Sequence, residues 1–446
     1  MTKDMTHGSP FGLIIRFSIP LMFGNLFQQF YSMVDTIIVG RFLGKGSLAA
    51  VGSTGSLNFL IIGFCLGLCS GFAIPVAQQF GAKNYDEIKR LVGNIIWLTG
   101  GASALFTAVT VALCWPMMEW MNTPSDIIVE AYYYMVVIFA GIPAIFLYNI
   151  LAALLRALGD SRTPVIFLVI ASFLNIGFDL LLVLVIPMGV AGAAIATVLA
   201  QLLSGIACFI YVVKKFPILH VRREDLRPNT EYMRRLCAVG VPMGLQTSIT
   251  AIGNILLQTA VNGLGSLYVA AITAGSRLYC LFVCAFDALG IAMSTYGGQN
   301  IGARKIDRLS PGLRAAMIIG SVYSILSLAI MYFFGMPLLT LFVEGSEVEI
   351  LENAFLYLII NGLFSIPLAG VNIFRLLIQG MGYSKIAMFA GVCEMFARSL
   401  TALLLVPPFG FVAACFAGPI AWIMADMFLV PVYFMILRNI RKWGIA

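Results

Sequence analysis

The chain has 446 residues, of which 61% are hydrophobic and only 11% charged, with a mean hydropathy of +0.97. That balance excludes a soluble globular chain and points to a polytopic membrane protein. The formal net charge of +7 does not point to nucleic acid, because the basic residues are spread through the loops instead of gathered on a polar domain.

Apolar runs of about twenty residues, bounded by charge, Pro or Gly, predict twelve transmembrane helices. They begin near Phe11, Leu48, Leu91, Ile127, Thr163, Gly189, Tyr232, Tyr268, Leu313, Leu351, Ser384 and Phe409. The leader from Met1 to Pro10 meets the first run without a small-residue cleavage site, so that run is expected to stay in the protein.

The first run holds Asp35, with Asn25, Gln28, Ser32 and Thr36 at helical steps on the same face. A carboxylate near the bilayer centre costs roughly 2.5 to 3.5 kcal/mol, so this face should line protein or a cavity. The fifth run supplies a partner, Asn175 and Asp179, at i and i+4 on one face. Burial penalises a charged carboxylate and a second acid penalises it further, so such a pair readily takes a proton. Its carboxylate, amide and hydroxyl oxygens equally suit a hard cation such as Na⁺. The alternative is that both acids are structural, satisfied by hydroxyls or by each other.

Pro75, Pro143, Pro367 and Gly24 mark expected bends within the spans. The nine cysteines show no CxxC and read as small packing residues. His7 and His220 fall outside the spans, which excludes an intramembrane histidine relay.

Basic residues cluster in alternate loops, from Lys83, Lys89 and Arg90 to Arg438, Arg441 and Lys442. Acids such as Glu119, Asp126, Glu344 and Glu347 occupy the opposite loops, with Arg41 and Lys45 as the basic exceptions. The positive-inside rule then puts both termini in the cytoplasm of a multi-pass protein of the cell membrane, which requires an even number of spans.

The longest polar interruption divides the chain into a six-helix lobe (1–213), a cytoplasmic linker (214–235) and a second six-helix lobe (236–446). The halves repeat at an offset of 221 to 223 residues: Leu43-Gly44 with Leu264-Gly265, Gln78 to Ala82 with Gln299 to Ala303, Gly159 with Gly382, and Gly189 with Gly410. An even number of helices per half gives a parallel repeat, the symmetry of two bundles rocking about a central cavity. The expected fold is therefore all-α, twelve helices in two pseudo-symmetric bundles.

The second half keeps a polar stripe, Gln246, Thr250, Asn254 and Gln258, but has Leu256 or Leu257 where the first has Asp35. A cation site on Asp35 thus belongs to the first half alone. Glu394 and Arg398 at i, i+4 read as a structural ion pair, Asp287 is a second candidate acid, and Asp426 has no evident partner.

Taken together, Ile19-Pro20, Val34-Asp35-Thr36-Ile-Ile-Val-Gly40, Leu48-Ala-Ala-Val-Gly52, Val76-Ala-Gln78-Gln-Phe-Gly81-Ala82, Leu155-Arg156-Ala-Leu-Gly159-Asp160, Asn175-xxx-Asp179 and Gly189 to Thr197 resemble the multidrug and toxic compound extrusion (MATE) transporters. The resemblance covers nearly the whole chain. It implies two six-helix lobes and export of organic cations or amphipathic drugs in exchange for H⁺ or Na⁺. It also implies a cation site in the first lobe, whose matching residues are Asp35, Asn175, Asp179 and Thr197, with Asn149 and Tyr134 nearby. NorM-type members carry acids on the seventh and tenth helices; the aligned positions are Thr250 and about Leu368, so the pattern is closer to DinF.

The expected ligands are a small-molecule drug or organic cation and membrane lipids, with no cofactor beyond the coupling ion, and a monomer. Substrate-facing candidates are Gln28, Ser32, Tyr134, Gln246 and Asn254. The competing reading is a lipid-linked precursor flippase, for which the candidate cavity is acidic where a basic one is wanted, with only Arg277, Arg375 and Arg398 to meet a pyrophosphate. No HExxH, DDxxD or Walker motif supports an enzyme or an ATP-driven pump.

Overall fold

A computed structural model describes residues 3–121 and 123–443. The outermost residues of both expected lobes, 1–2 and 444–446, and Asn122 lie outside the described residues. Among the described residues there is no strand, and fifteen α-helices carry the chain. The first half holds α1 (Pro10–Ile38), α2 (Lys45–Ser53), α3 (Gly55–Gly81), α4 (Tyr85–Trp120), α5 (Ile128–Ala140), α6 (Ile142–Ala157), α7 (Arg162–Asp179) and α8 (Val190–Lys215). The second holds α9 (Thr230–Asn262), α10 (Ser266–Gly302), α11 (Leu309–Leu339), α12 (Val348–Leu363), α13 (Ser365–Gly380), α14 (Ser384–Leu400) and α15 (Val406–Trp443).

By length and composition 9 described helices can cross a membrane, or 11 when the bent pairs α5/α6 and α12/α13 each count as one. The longest run, Ser384–Lys442, has 59 residues, about 88 Å of helix at about 1.5 Å per residue and far more than one bilayer needs. It turns at Gly410, whose φ of 61° and ψ of −139° are not helical. Dividing the run there brings the number to twelve.

At the starts of α4, α7 and α9 side chains take up free amides. Asn84 accepts from the Glu87 amide at the head of α4, and Asp86 and Glu87 in that first turn favour the helix dipole. Asp160 heads α7: its Oδ1 accepts from the amides of Arg162 and Thr163 at 3.0 Å, and its Oδ2 from the Thr163 hydroxyl at 2.7 Å. Asn229 does the same for α9 through the Glu231 amide, 2.8 Å away.

The repeat is present in the backbone itself. Helices α3 and α10 end in the same motif: Lys83 and Arg304 sit at φ 58° and 56°, and the amides of Asn84 and Lys305 reach back to the Gln79 and Asn300 carbonyls. Gly189 and Gly410 share one unusual conformation, φ 63°, ψ −146° against φ 61°, ψ −139°. A π-helical turn follows α7 at Leu180–Val185 and another follows α14 at Thr401–Leu405. The bends also correspond, 47° after α5 and 52° after α12, and Pro143 and Pro367 stand just inside the helices that follow. Gly24 is different: α1 runs through it, and a Cβ there would lie 2.9 Å from Val165, so this glycine serves close packing, not a bend.

Contacts divide the chain into two packed units that do not follow chain order. The first takes residues up to 4 and 23–244, the second 5–22 and everything from 245. In the first, α3 meets the start of α9 so tightly that a Cβ on Gly71 would lie 2.4 Å from the Gly240 Cα. The segment expected as a linker is tied to α4 in that same unit. Trp97 donates to the Leu226 carbonyl at 2.7 Å, Asn94 accepts from the Asn229 amide at 2.9 Å, and Tyr232 donates to Glu87 at 2.9 Å. All nine cysteines are free thiols, six of them buried, in keeping with a packing role.

Candidate functional site

The acid of α1 and the acid of α7 meet in the first unit. Asp179 is the last residue of α7, wholly buried (0% exposed), and Asn175 one turn earlier is 2% exposed. Asp35, half-buried on α1, brings its carboxyl within hydrogen-bonding range of Asp179. The phenols of Tyr31 and Tyr134 lie close enough to feel both carboxyls.

Helix α8 adds the hydroxyl. Asn175 Nδ2 donates to Thr197 Oγ1 at 3.3 Å, and Thr197 in turn donates to the Ala193 carbonyl at 3.2 Å. The amide hydrogens of Asn175 are thus turned toward Thr197, which leaves its carbonyl oxygen without a donor. Asp35 Oδ1 and both oxygens of Asp179 are likewise buried with no hydrogen-bond donor among the described residues. Four acceptor oxygens and no donor is an unbalanced arrangement in an apolar interior. Two charges of one sign repel there far more than in water, so a proton or a cation between the carboxyls removes the imbalance.

The remaining expected residues are placed as follows. Gln28 is exposed and pairs with Tyr31, and the Ser32 carbonyl accepts the Thr36 hydroxyl at 2.8 Å. Asn149, on α6, donates to the Ile145 carbonyl of its own helix at 2.8 Å; no bond ties it to the acids. Among the described residues no group of three or more His, Cys, Asp or Glu forms a metal cluster. Two residues escaped the sequence reading: Tyr31, one helical turn before Asp35, and Gln201, one turn after Thr197, whose amide oxygen is also buried without a donor. Their i, i+4 spacing was the available signal.

The second unit holds polar groups of another kind. Glu394 and Arg398 pair at 3.3 Å as their spacing predicts, but Arg375 of α13 closes on Glu394 from the other side at 3.0 Å. Arg375 also donates to Asn372 Oδ1 at 3.0 Å, and Gln246, beside Gln379, offers its amide oxygen to Arg375 Nη1 and Nε, 3.1 Å from each. Asp426 and Asp287 both lie within electrostatic reach of Arg375; Asp287 is exposed, and so is Asn254.

These features define a helical, multi-pass membrane protein whose two halves share a backbone and differ in their buried charges. The MatE family model matches residues 20–181 and 242–404, once in each half, and the chain belongs to that family, the MATE transporters. It is 30% identical over 340 residues to Probable multidrug resistance protein YoeA of Bacillus subtilis, an alignment covering 74% of this chain and 73% of that one. It is 24% identical over 368 residues to DNA damage-inducible protein F of Escherichia coli, covering 82% and 78%. The fold matches the crystal structure of MATE in complex with MaL6 at a TM-score of 0.93, with 22% identity, over 99% of this chain and 100% of that one. Membership of a transporter family agrees with the absence of enzyme motifs in the sequence.

Proposed function

We propose that the protein is a secondary active multidrug efflux transporter that exports organic cations or amphipathic drugs by antiport with H⁺ or Na⁺. The coupling ion binds at Asp35, Asn175, Asp179 and Thr197. The observation that carries this reading is the surplus of buried acceptor oxygens at the Asp35–Asp179 pair, which a proton or a small cation satisfies. The names of the curated relatives support multidrug export as the physiological task.

In this mechanism the lobes 1–213 and 236–446, joined by 214–235, alternate access to the two sides of the cell membrane, with both termini cytoplasmic. Substrate and coupling ion compete for the first lobe. Gln28, Ser32 and Tyr134 of the first lobe and Asn254 of the second are the substrate-facing groups, Asn149 lends a polar group near the ion, and Asp287 is a second acid along the substrate path. Gln246, expected among them, is buried and held by Arg375 instead. The working unit is a monomer. Entry of the ion from outside neutralises the acids and favours release of the drug. Returning one charge through about 100 mV supplies roughly 2.3 kcal/mol, and one pH unit about 1.4 kcal/mol, each enough for a tenfold or larger substrate gradient.

The test is uptake of a fluorescent organic cation into inverted vesicles under imposed pH or Na⁺ gradients, for wild type and Asp35→Asn. Transport that follows one gradient and vanishes in the variant at equal expression is expected and names the ion. Transport that ignores both gradients, or survives the substitution, refutes the coupling assignment.

A further inference from the structure

The last helix ends in a surface that the transport cycle above does not use. Phe434, Leu437, Arg438, Arg441 and Lys442 line an open depression of ≈ 500 Å³ on the end of α15. Met427, Phe434, Arg438 and Arg441 fall at steps of seven, four and three, so they form one stripe along the helix. The apolar members are turned outward, Met427 73% and Phe434 54% exposed, as side chains that face lipid are. The stripe therefore runs from an acyl-chain environment to two guanidinium groups at the end of the span.

Neither guanidinium is committed elsewhere in the manner of Arg375 and Arg398. The ion pair that Arg441 makes, to Asp307, is 4.0 Å long between two side chains in water (52% and 102% exposed), a contact worth little and easily exchanged. The repeat does not explain the pattern either. At an offset of 221, the first half has Val213, Pro217 and His220 in place of Phe434, Arg438 and Arg441.

We propose that this depression is a binding site for an anionic phospholipid. The phosphodiester is held by Arg438 and Arg441, with Lys442 adding charge, and an acyl chain lies along Phe434 and Met427. Guanidinium groups bind phosphate oxygens through paired N–H donors, and basic pockets at the ends of membrane helices suit lipid head groups. The inference requires only that α15 spans the membrane and is independent of the coupling site.

The full-length protein, purified and offered equal amounts of phosphatidylglycerol and phosphatidylcholine with the same acyl chains, is examined by native mass spectrometry. Wild type is expected to retain phosphatidylglycerol in about fivefold excess or more. The double variant Arg438→Gln/Arg441→Gln is expected to retain the two lipids equally, with its unfolding temperature in lipid-free detergent unchanged. The linker variant Arg222→Gln/Arg223→Gln, which removes the same charge elsewhere, is expected to keep the excess. Three results would each overturn the proposal: an undiminished excess in the α15 variant, an equal loss in the linker variant, or displacement of the lipid by inorganic phosphate, which would mark a site for free anions.

Discussion

The two halves of this chain place matching backbones around opposite electrostatics. In the first, Asp35 and Asp179 face each other amid orphaned acceptor oxygens, and among the described residues no Lys or Arg forms an ion pair with either. In the second, Glu394 is clasped by Arg375 and Arg398, and Gln246 and Asn372 take up further guanidinium hydrogens. A buried acid that is satisfied by its neighbours holds structure together, whereas one left unsatisfied waits for something to arrive. The Asp35–Asp179 pair and the Glu394 cluster differ in whether the charge is balanced by hydrogen-bonded partners. Asp426 in the second half, whose Oδ1 is also buried without a donor among the described residues, has only the field of Arg375 to balance it.

The strongest way to break this comparison is to remove one acid from each side. Asp35→Asn or Asp179→Asn is expected to abolish gradient-driven efflux in vesicles while leaving the thermal unfolding temperature undiminished, because the substitution relieves a repulsion and breaks no ion pair. Glu394→Gln is expected to do the reverse. It leaves the buried Arg398 without its carboxylate and removes the ion-pair partner of Arg375, which keeps its bonds to Asn372 and Gln246. Breaking a buried pair costs up to about 3–5 kcal/mol and should show as a large loss of thermal stability or of folded protein. Replacing Arg375, Glu394 and Arg398 together by Met, Leu and Met should recover most of that stability. If Asp35→Asn destabilised the protein as much as Glu394→Gln, the distinction between a waiting acid and a structural one would fall.

A subtler comparison concerns Gly189 and Gly410. Both hold a conformation that only glycine adopts without strain, and a Cβ at either position would meet nothing within 4 Å. Alanine there therefore costs backbone strain alone, about 1–3 kcal/mol in chemical or thermal unfolding. The same geometry predicts the same cost at both sites to within about 0.5 kcal/mol, and a double variant that sums them. Unequal costs would show that the halves share a shape without sharing its energetics.

Much of this architecture is legible in the sequence because bilayer length and charge cost leave few alternatives. The expected starts fall within four residues of the start of a described helix or, for the last, of the turn at Gly410, except Leu91, which lies six residues inside α4. Near Leu48 the start agrees but the run does not. There α2 and α3 split what reads as one run. Asp35, Asn175 and Asp179 stand out because an acid in an apolar run is costly wherever it lies. What stays hidden is pairing across helices. Nothing in the spacing joins Arg375 to Glu394, nineteen residues away on another helix, and i, i+4 logic finds Arg398 alone. Gly24 illustrates the same limit, since a glycine reads alike whether it bends a helix or admits Val165.

The finest test asks whether the first-half site works through its oxygens or only through its charge. Thr197 receives the Asn175 amide over a long 3.3 Å bond and returns its own proton to Ala193. Thr197→Val removes the hydroxyl, keeps the shape and leaves one Asn175 N–H seeking a new acceptor, at a cost of about 0.5–1.5 kcal/mol. The amide that should present its oxygen to the ion is then free to rotate. The concentration of H⁺ or Na⁺ giving half-maximal transport is expected to rise about two- to tenfold, with the maximal rate little changed, since RT sets roughly 1.4 kcal/mol per tenfold. Thr197→Ser, which restores the acceptor, should restore the affinity. An unchanged ion dependence in the valine variant would place the hydroxyl in helix packing and leave the two carboxyls as the whole of the coupling chemistry.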